Sequence, residues 1–252
     1  MKDQAGRTID YMRISLTDRC NLRCRYCMPH DIKKIEMSQL LNYEEIVLIA
    51  KCAVELGIVN FKLTGGEPLV RKNVPVLVEM LKAIPGVKTV TITTNGTLLS
   101  SYAQELKKAG LDGINVSLDT LDADAFANLT GHTFPLSSVL EGIKAVQQAE
   151  IPVKLNTVNR RDLDWKTILS YAKDQHLVVR FIEMMPIGYG KDFQFRGESE
   201  ICEILEKAYG RMTPIKERYG NGPCHYYKIE EFQGKIGFIS AMTHKFCDQC
   251  NR

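Results

Sequence analysis

Short apolar segments alternate with amphipathic helical patterns from Tyr11 to Met185 of this 252-residue chain, and that alternation leaves few folds open. Strands that take turns with helices in this way form βα units around a parallel sheet. Six such units fall short of a closed eight-stranded barrel, so the sequence predicts an open, partial (βα)6 barrel of the TIM type. The predicted strands span residues 11–16, 60–63, 89–93, 113–117, 153–157 and 177–182.

The helices between these strands are predicted from apolar residues spaced three and four positions apart. They span residues 43–56, 74–83, 102–109, 137–149 and 165–175. After Pro186 the pattern changes to a loop, a helix over 200–208 and a β-hairpin formed by 226–232 and 235–240. We therefore expect two parts, a partial barrel over 1–186 and a C-terminal α+β appendage over 187–252 that covers the open side of the barrel.

The charge balance limits the partners of the chain. Lys and Arg number 33 against 30 Asp and Glu, a net charge of +3 that is too small to attract nucleic acid or a membrane surface. No apolar run approaches the roughly 20 residues of a membrane-spanning helix, and the first residues lack the apolar core of a signal peptide. We expect a cytoplasmic protein without nucleic-acid or membrane partners. The oligomeric state stays open, and a homodimer is one option.

Three cysteines follow the first predicted strand, where the chemistry of such folds gathers. Cys20, Cys24 and Cys27 form the pattern C-x3-C-x2-C, with Tyr26 directly before the last of them. A four-iron cluster usually takes four cysteines, so three would leave one iron free for an external ligand. The alternative at this stage is a zinc site that has His30 as its fourth ligand.

The second predicted strand ends in Gly65-Gly66-Glu67-Pro68. Glycines at such a place let the backbone approach a ligand closely. Taken alone, the same residues also fit an ordinary turn in which Pro68 starts a helix.

Four cations lie inside the predicted strands, namely Arg13, Lys62, Lys154 and Arg180. Lys and Arg are almost never fully buried without a partner, so these side chains either meet carboxylates or line a cavity that holds an anion. A triphosphate would satisfy all four. Ordinary ion pairs or charges at the edge of the sheet are the alternative.

The cysteine spacing with its aromatic residue, together with the glycine motif, resembles the radical S-adenosylmethionine (SAM) family. The resemblance extends over nearly the whole chain to the GTP 3',8-cyclases of molybdenum cofactor biosynthesis, which are lyases. It rests on residues 13–21, 63–69, 115–119, 180–183, 222–223 and 246–252.

The resemblance implies that a 4Fe-4S cluster on the first three cysteines binds SAM and reduces it to a 5'-deoxyadenosyl radical. That radical would abstract the ribose 3' hydrogen of GTP, after which the ribose carbon attacks C8 of guanine to give (8S)-3',8-cyclo-7,8-dihydroguanosine 5'-triphosphate. An electron donor and a downstream cyclic pyranopterin monophosphate synthase are the implied partners. By position, the SAM contacts would be Tyr26, Gly66, Ser117 and Met185, and the GTP contacts Arg13, Lys62, Thr93, Lys154, Arg180 and Arg252.

Two of these positions also fit purely structural roles. Met185 could fill a gap in the core, and the Ser117 hydroxyl could cap a backbone group.

Cys247-x2-Cys250 resembles the start of the family's second 4Fe-4S site, whose third cysteine comes farther along the chain. That position would fall after Arg252, so we expect the sequence to be a fragment of a longer gene product. The alternatives are a degenerate protein that keeps only the first cluster, or a second site in which Cys224 supplies the third thiolate. With two ligands the second cluster is expected to assemble poorly, and SAM cleavage would then run uncoupled from GTP cyclisation.

Two other functions stay open from the sequence. One is a radical SAM enzyme that modifies a peptide and carries an auxiliary cluster after the barrel. The other is a zinc-binding module without catalysis that uses both cysteine motifs as structural ligands.

Overall fold

The computed structural model describes residues 2–28, 34–162, 164, 166–217 and 219–252. Its strands are β1 Tyr11–Ser15, β2 Asn60–Thr64, β3 Thr89–Thr94, β4 Gly113–Ser117, β5 Val153–Val158, β6 Val178–Ile182, β7 Met212–Ile215, β8 His225–Ile229 and β9 Lys235–Ile239. Its helices are α1 Tyr43–Glu55, α2 Val74–Lys82, α3 Leu99–Lys108, α4 Ala123–Thr130, α5 Leu136–Gln148, α6 Lys166–Lys173 and α7 Glu198–Tyr209.

All strands belong to one sheet with the order β1-β2-β3-β4-β5-β6-β9-β8-β7. The first six are parallel to their neighbours, which confirms the six predicted βα units and the α/β class. Successive parallel strands with helices between them produce the partial barrel. The division at residue 186 stays a prediction, since the sheet continues from β6 into the C-terminal strands.

The strands of the barrel separate an apolar face from a polar face. On β3, Val90, Ile92 and Thr94 are buried, whereas the residues between them are half-buried. Successive side chains of a strand point to opposite sides, so one face packs against the helices and the other lines the inside of the barrel. The inward face is where polar side chains accumulate.

The C-terminal part touches both sides of the partial barrel. β9 pairs with β6 in parallel, and β8 pairs with β9 in the predicted antiparallel hairpin. The Asp10 N–H, just before β1, donates to the Asn251 carbonyl at 3.3 Å, and the Asn251 side-chain amide donates to Asp10 Oδ1 at 2.7 Å. These contacts support the expectation that the appendage covers the opening of the barrel.

Two elements were not predicted. Helix α4 is short; the Asp122 side chain accepts from the Ala125 N–H at its start, and Gly131 ends it with φ 89°. Strand β7 contains Pro214 and lies at the edge of the sheet, where proline is tolerated. The predicted start of α6 at Trp165 lies outside the described residues. Within the described part, no helix combines the length and apolar character needed to cross a membrane.

Candidate active site

The loop after β2 holds the cysteine loop in place through its backbone. The Gly66 N–H donates to the Thr17 carbonyl at 2.7 Å, and the Glu67 N–H donates to the Arg19 carbonyl at 2.8 Å. A Cβ on Gly66 would lie 2.3 Å from the Arg19 oxygen, and one on Gly65, whose φ is 143°, would lie 2.4 Å from the Thr17 oxygen. The two glycines are therefore required for this close approach, which places the motif directly against the segment that leads to Cys20.

The three cysteines of this loop carry free thiols, of which Cys20 and Cys24 are half-buried and Cys27 is exposed. Burial raises the pKa of Cys24 to about 12 and also raises those of Cys20 and Cys27. A bound metal centre has the opposite effect on the pKa of a cysteine, because a coordinating thiol is deprotonated outright. The site therefore offers three thiols that ionise when a metal centre binds them.

The hydrogen bonds around Cys20 suit an iron–sulfur ligand. Its sulfur accepts from the Leu22 N–H at 3.4 Å and from the Asn95 side-chain amide at 3.8 Å. Hydrogen bonds to ligand sulfurs are a feature of iron–sulfur sites. The His30 of the zinc alternative lies outside the described residues, among which no group of three His, Cys, Asp or Glu side chains could hold a single metal ion.

Tyr26, next to Cys27, is fixed by a buried carboxylate. Its hydroxyl donates to Asp119 Oδ2 at 2.6 Å, and the Val158 N–H donates to Asp119 Oδ1 at 2.8 Å. Burial raises the pKa of Asp119, although both hydrogen bonds oppose that shift. The Arg160 guanidinium lies 5.7 Å from the centre of the Tyr26 ring. Sequence reasoning missed Arg160 and assigned no role to Asp119, although Asp119 follows a predicted strand and belongs to the matching stretch 115–119.

Ser117 and Met185 lie at or just after the carboxyl ends of β4 and β6, the same side as the cysteine loop. Met185 is 47% exposed, so its interpretation as a filler of the core is wrong. Ser117 is also exposed, and among the described residues its hydroxyl has no hydrogen-bond partner, so it does not cap a backbone group. Both side chains are free to contact a ligand at this rim.

A cavity of about 380 Å³ lies inside the barrel. Its wall combines residues of seven strands, β1 to β6 and β9, with residues 220–223 and Arg252. All six predicted GTP contacts line it, namely Arg13, Lys62, Thr93, Lys154, Arg180 and Arg252. The structure thus brings together residues that are far apart in the sequence.

The cations of this cavity are not paired with carboxylates in the part of the chain that the structure describes. None of Arg13, Lys62, Lys154, Arg180 or Arg252 forms a salt bridge with a carboxylate among the described residues. Arg180, 7% exposed, instead donates from Nε to the neutral Asn156 Oδ1 at 2.9 Å. Clustered positive charge without compensation is the electrostatic signature of an anion site.

Two lysine pKa values respond to this concentration of charge. The pKa of Lys62 is lowered to about 6, mainly by burial. The positive charges of Arg180, Lys154, Arg13 and Arg252 add to this effect. Burial and the Arg180 charge lower the pKa of Lys154 to about 8. An anion in the cavity would favour the protonated form of both amines.

Cys247 and Cys250 lie toward the opposite end of the barrel, since Asn251 contacts Asp10 just before β1. The Arg7 guanidinium donates to the Cys247 carbonyl at 2.7 Å. Burial acts to raise the pKa of Cys250, but hydrogen bonds with Arg252 and the charges of Arg252 and Arg7 outweigh it and lower that pKa.

Cys224 is buried against Gly237 and its thiol donates to the His225 carbonyl at 3.5 Å. Burial raises its pKa to about 11. Its role as a third thiolate for the second cysteine pair stays a hypothesis.

Two family models match consecutive parts of the chain. The Radical SAM superfamily matches residues 14–174, and Molybdenum Cofactor Synthesis C matches residues 177–252. A GTP 3',8-cyclase of Clostridium perfringens (strain 13) is 44% identical over 256 residues, which cover 100% of this chain and 79% of that protein. A GTP 3',8-cyclase of Syntrophomonas wolfei is 45% identical over 260 residues, with 100% and 79% covered.

Solved structures share the fold at low sequence identity. SuiB of Streptococcus suis bound to its precursor peptide SuiA superimposes with a TM-score of 0.64 at 18% identity, covering 80% of this chain and 45% of that one. HydG, a maturase of the [FeFe]-hydrogenase, gives a TM-score of 0.63 at 15% identity, with 79% and 48% covered. The chain spans about half the length of these two structures.

Three features define a radical SAM enzyme, which uses SAM and a 4Fe-4S cluster. They are the partial barrel, the three-cysteine loop at its rim and the glycine motif that packs against that loop. The later part of the chain matches a model specific to molybdenum cofactor synthesis. Within the radical SAM enzymes, the chain belongs to the GTP 3',8-cyclase family, whose members resemble it over its whole length.

Proposed function

We propose that this enzyme converts GTP to (8S)-3',8-cyclo-7,8-dihydroguanosine 5'-triphosphate in molybdopterin biosynthesis. The observation that carries the proposal is the cavity with uncompensated cations from four strands, at Arg13, Lys62, Lys154 and Arg180. The cavity would suit any polyanion of this size, and we choose GTP because the relatives are named GTP 3',8-cyclase. An electron donor acts before this reaction, and cyclic pyranopterin monophosphate synthase uses its product.

The residues at the rim hold the cluster and SAM. Cys20, Cys24 and Cys27 would hold the first 4Fe-4S cluster, which together with SAM would supply radical chemistry at this rim. Gly66 presents its backbone to the methionine part of SAM, while the exposed Ser117 and Met185 contact the rest of the molecule.

The strand cations hold the triphosphate of GTP. Arg13 and Lys62 are register partners on β1 and β2, so their side chains leave the sheet side by side. Arg180 is oriented by Asn156, its own register partner on β5. Thr93 contributes a hydroxyl from β3, and a charge-assisted contact inside the partly enclosed cavity is stronger than one in bulk water.

Residues 187–252 provide the guanine end of the site in this proposal. Cys247 and Cys250 contribute ligands to a second 4Fe-4S cluster, and Arg252 extends from this segment into the cavity. A nucleotide lying along the cavity then has its purine near one end and its ribose toward the rim. Holding the ribose in reacting position is the main contribution of the protein, because small misplacements can cost about a hundredfold in rate.

The proposed function is tested by anaerobic product analysis. Reduced protein that carries both 4Fe-4S clusters is expected to convert SAM and GTP to 5'-deoxyadenosine and the 3',8-cyclised nucleotide, which mass spectrometry separates from GTP. Protein that carries the first cluster alone should form 5'-deoxyadenosine with little or no cyclised nucleotide. ATP is the matched control, since it carries the same triphosphate with a different purine. Equal turnover of an unrelated peptide, or zinc without sulfide in the purified protein, would contradict the proposal.

Lys62 makes triphosphate binding depend on pH. With a pKa of about 6 the free amine is neutral at pH 7, and an anion favours its protonation, so GTP binding takes up a proton. Affinity should therefore fall as the pH rises from about 6 toward 9, by at most about tenfold per unit for one proton. Calorimetry in two buffers of different ionisation enthalpy measures the uptake. Lys62→Arg, which stays charged, should reduce the uptake; binding without any uptake by the wild type would contradict this role.

A further inference from the structure

Asn95 directly follows β3 and its side chain reaches the cysteine loop. Its Nδ2 group donates to Asn21 Oδ1 at 2.8 Å and to the Cys20 sulfur at 3.8 Å. Its Oδ1 accepts from the Thr97 N–H at 3.1 Å and from the Thr97 hydroxyl at 2.8 Å. A backbone N–H can only donate, so the oxygen must face Thr97 and the NH2 group must face Cys20.

A buried carboxylate keeps Asn95 in this position. The Asn95 N–H donates to Glu67 Oε2 at 2.6 Å, while the Leu69 N–H and the Thr94 hydroxyl donate to Oε1 at 3.0 and 2.8 Å. Glu67 is fully buried and follows the glycine that packs on the cysteine loop. The segment after β3 is thereby tied to the same loop that positions the cysteines, so the amide has little freedom to turn away.

The hydrogen bond distinguishes Cys20 from its two neighbours in the motif. Among the described residues, Cys20 is the member of the trio whose sulfur accepts from a side-chain donor. Reduction adds negative charge to an iron–sulfur cluster and its ligands, and hydrogen bonds to the sulfurs stabilise that charge. A donor held at this sulfur therefore favours the reduced cluster.

We propose that Asn95 is a positioning residue that raises the reduction potential of the first cluster through its hydrogen bond to Cys20. The proposal rests on the proposed function in one respect, the cluster at Cys20, Cys24 and Cys27. Asn95 would allow a physiological donor to reduce a cluster that otherwise needs a stronger reductant.

The test compares Asn95→Ala and Asn95→Asp by redox titration of the cluster, followed by electron paramagnetic resonance. Alanine removes the donor; aspartate keeps the shape of the side chain but places a carboxylate against the sulfur. We expect the potential to fall in the order wild type, alanine, aspartate. At the same solution potential, the ratio of reduced to oxidised cluster should be about tenfold lower in Asn95→Ala than in the wild type. This corresponds to a reduction potential lower by about 59 mV for a one-electron couple.

A second readout separates redox tuning from a structural role. Cleavage of SAM by Asn95→Ala should fall about tenfold with dithionite and recover with the stronger reductant titanium(III) citrate. Gln147→Ala, which removes an amide bonded to Gln175 far from the cluster, is the matched control and should keep the wild-type potential.

The outcomes discriminate between the inference and the proposed function. Equal potentials in variants with full iron and sulfide would overturn the inference and leave the function intact. An aspartate variant with a higher potential than alanine, or loss of the cluster in every variant, would overturn it as well. A wild-type protein that assembles no four-iron cluster would instead contradict the proposed function.

Discussion

Replacing Cys24 with alanine is expected to abolish both the first iron–sulfur cluster and the cleavage of SAM. Cys24 is central in the C-x3-C-x2-C loop, and burial already raises the pKa of its thiol to about 12. A cluster that loses one of three protein ligands has two left, and no other cysteine lies in this loop. Iron and sulfide analysis after anaerobic reconstitution, with quantification of 5'-deoxyadenosine, measures the effect.

Cys52→Ala provides the matched control for this experiment. Cys52 is exposed on α1, and its loss should leave iron content, sulfide content and SAM cleavage unchanged. Full iron, sulfide and 5'-deoxyadenosine in the Cys24→Ala protein would show that the ligand assignment is wrong.

Replacing Arg180 with alanine is expected to weaken GTP binding about tenfold or more while SAM cleavage without GTP persists. Arg180 is buried on β6, faces the cavity and is bonded to an amide instead of a carboxylate. A charge-assisted hydrogen bond contributes roughly 1.5 to 3 kcal/mol, and about 1.4 kcal/mol corresponds to tenfold in affinity. Equilibrium binding of GTP to the anaerobic protein gives the dissociation constant.

Two further variants make the Arg180 result specific. Arg180→Lys keeps the charge but loses the planar donor pair, so it should bind more weakly than wild type and more tightly than Arg180→Ala. Arg161→Ala removes a half-exposed arginine that pairs with Glu200, and should not affect GTP. Unchanged affinity in an Arg180→Ala protein with a native circular dichroism spectrum would exclude the triphosphate role.

The barrel and its cavity could be predicted because both follow from local periodicity. A strand exposes alternate residues on each face, so apolar residues mark the side that meets the helices and polar residues mark the inside. Arg13, Lys62, Lys154 and Arg180 were candidates for one cavity because they lie inside predicted strands and a buried cation needs a partner, and all four line it. The family resemblance added Thr93 and Arg252, which have no distinctive local pattern.

The contacts that position the site could not be predicted in the same way. The hydrogen bonds from Tyr26 to Asp119 and from Asn95 to Cys20 join residues 93 and 75 positions apart. They depend on how loops from different strands meet, which no local pattern encodes. Helix α4 was missed because Phe126 and Leu129 are the two large apolar residues that it buries, too few for a clear apolar repeat.

The contact between Asp10 and Asn251 has a consequence for the order in which the molecule folds. These residues are 241 positions apart, whereas each βα unit is completed by contacts between segments close in sequence. Contacts of long sequence separation form late, because the entropy of closing a long loop must be overcome first. A polypeptide emerging from the ribosome would therefore complete its parallel strands while their cationic inner face is still open to water. Enclosure of the cavity by the contact between Asp10 and Asn251 would follow the pairing of those strands.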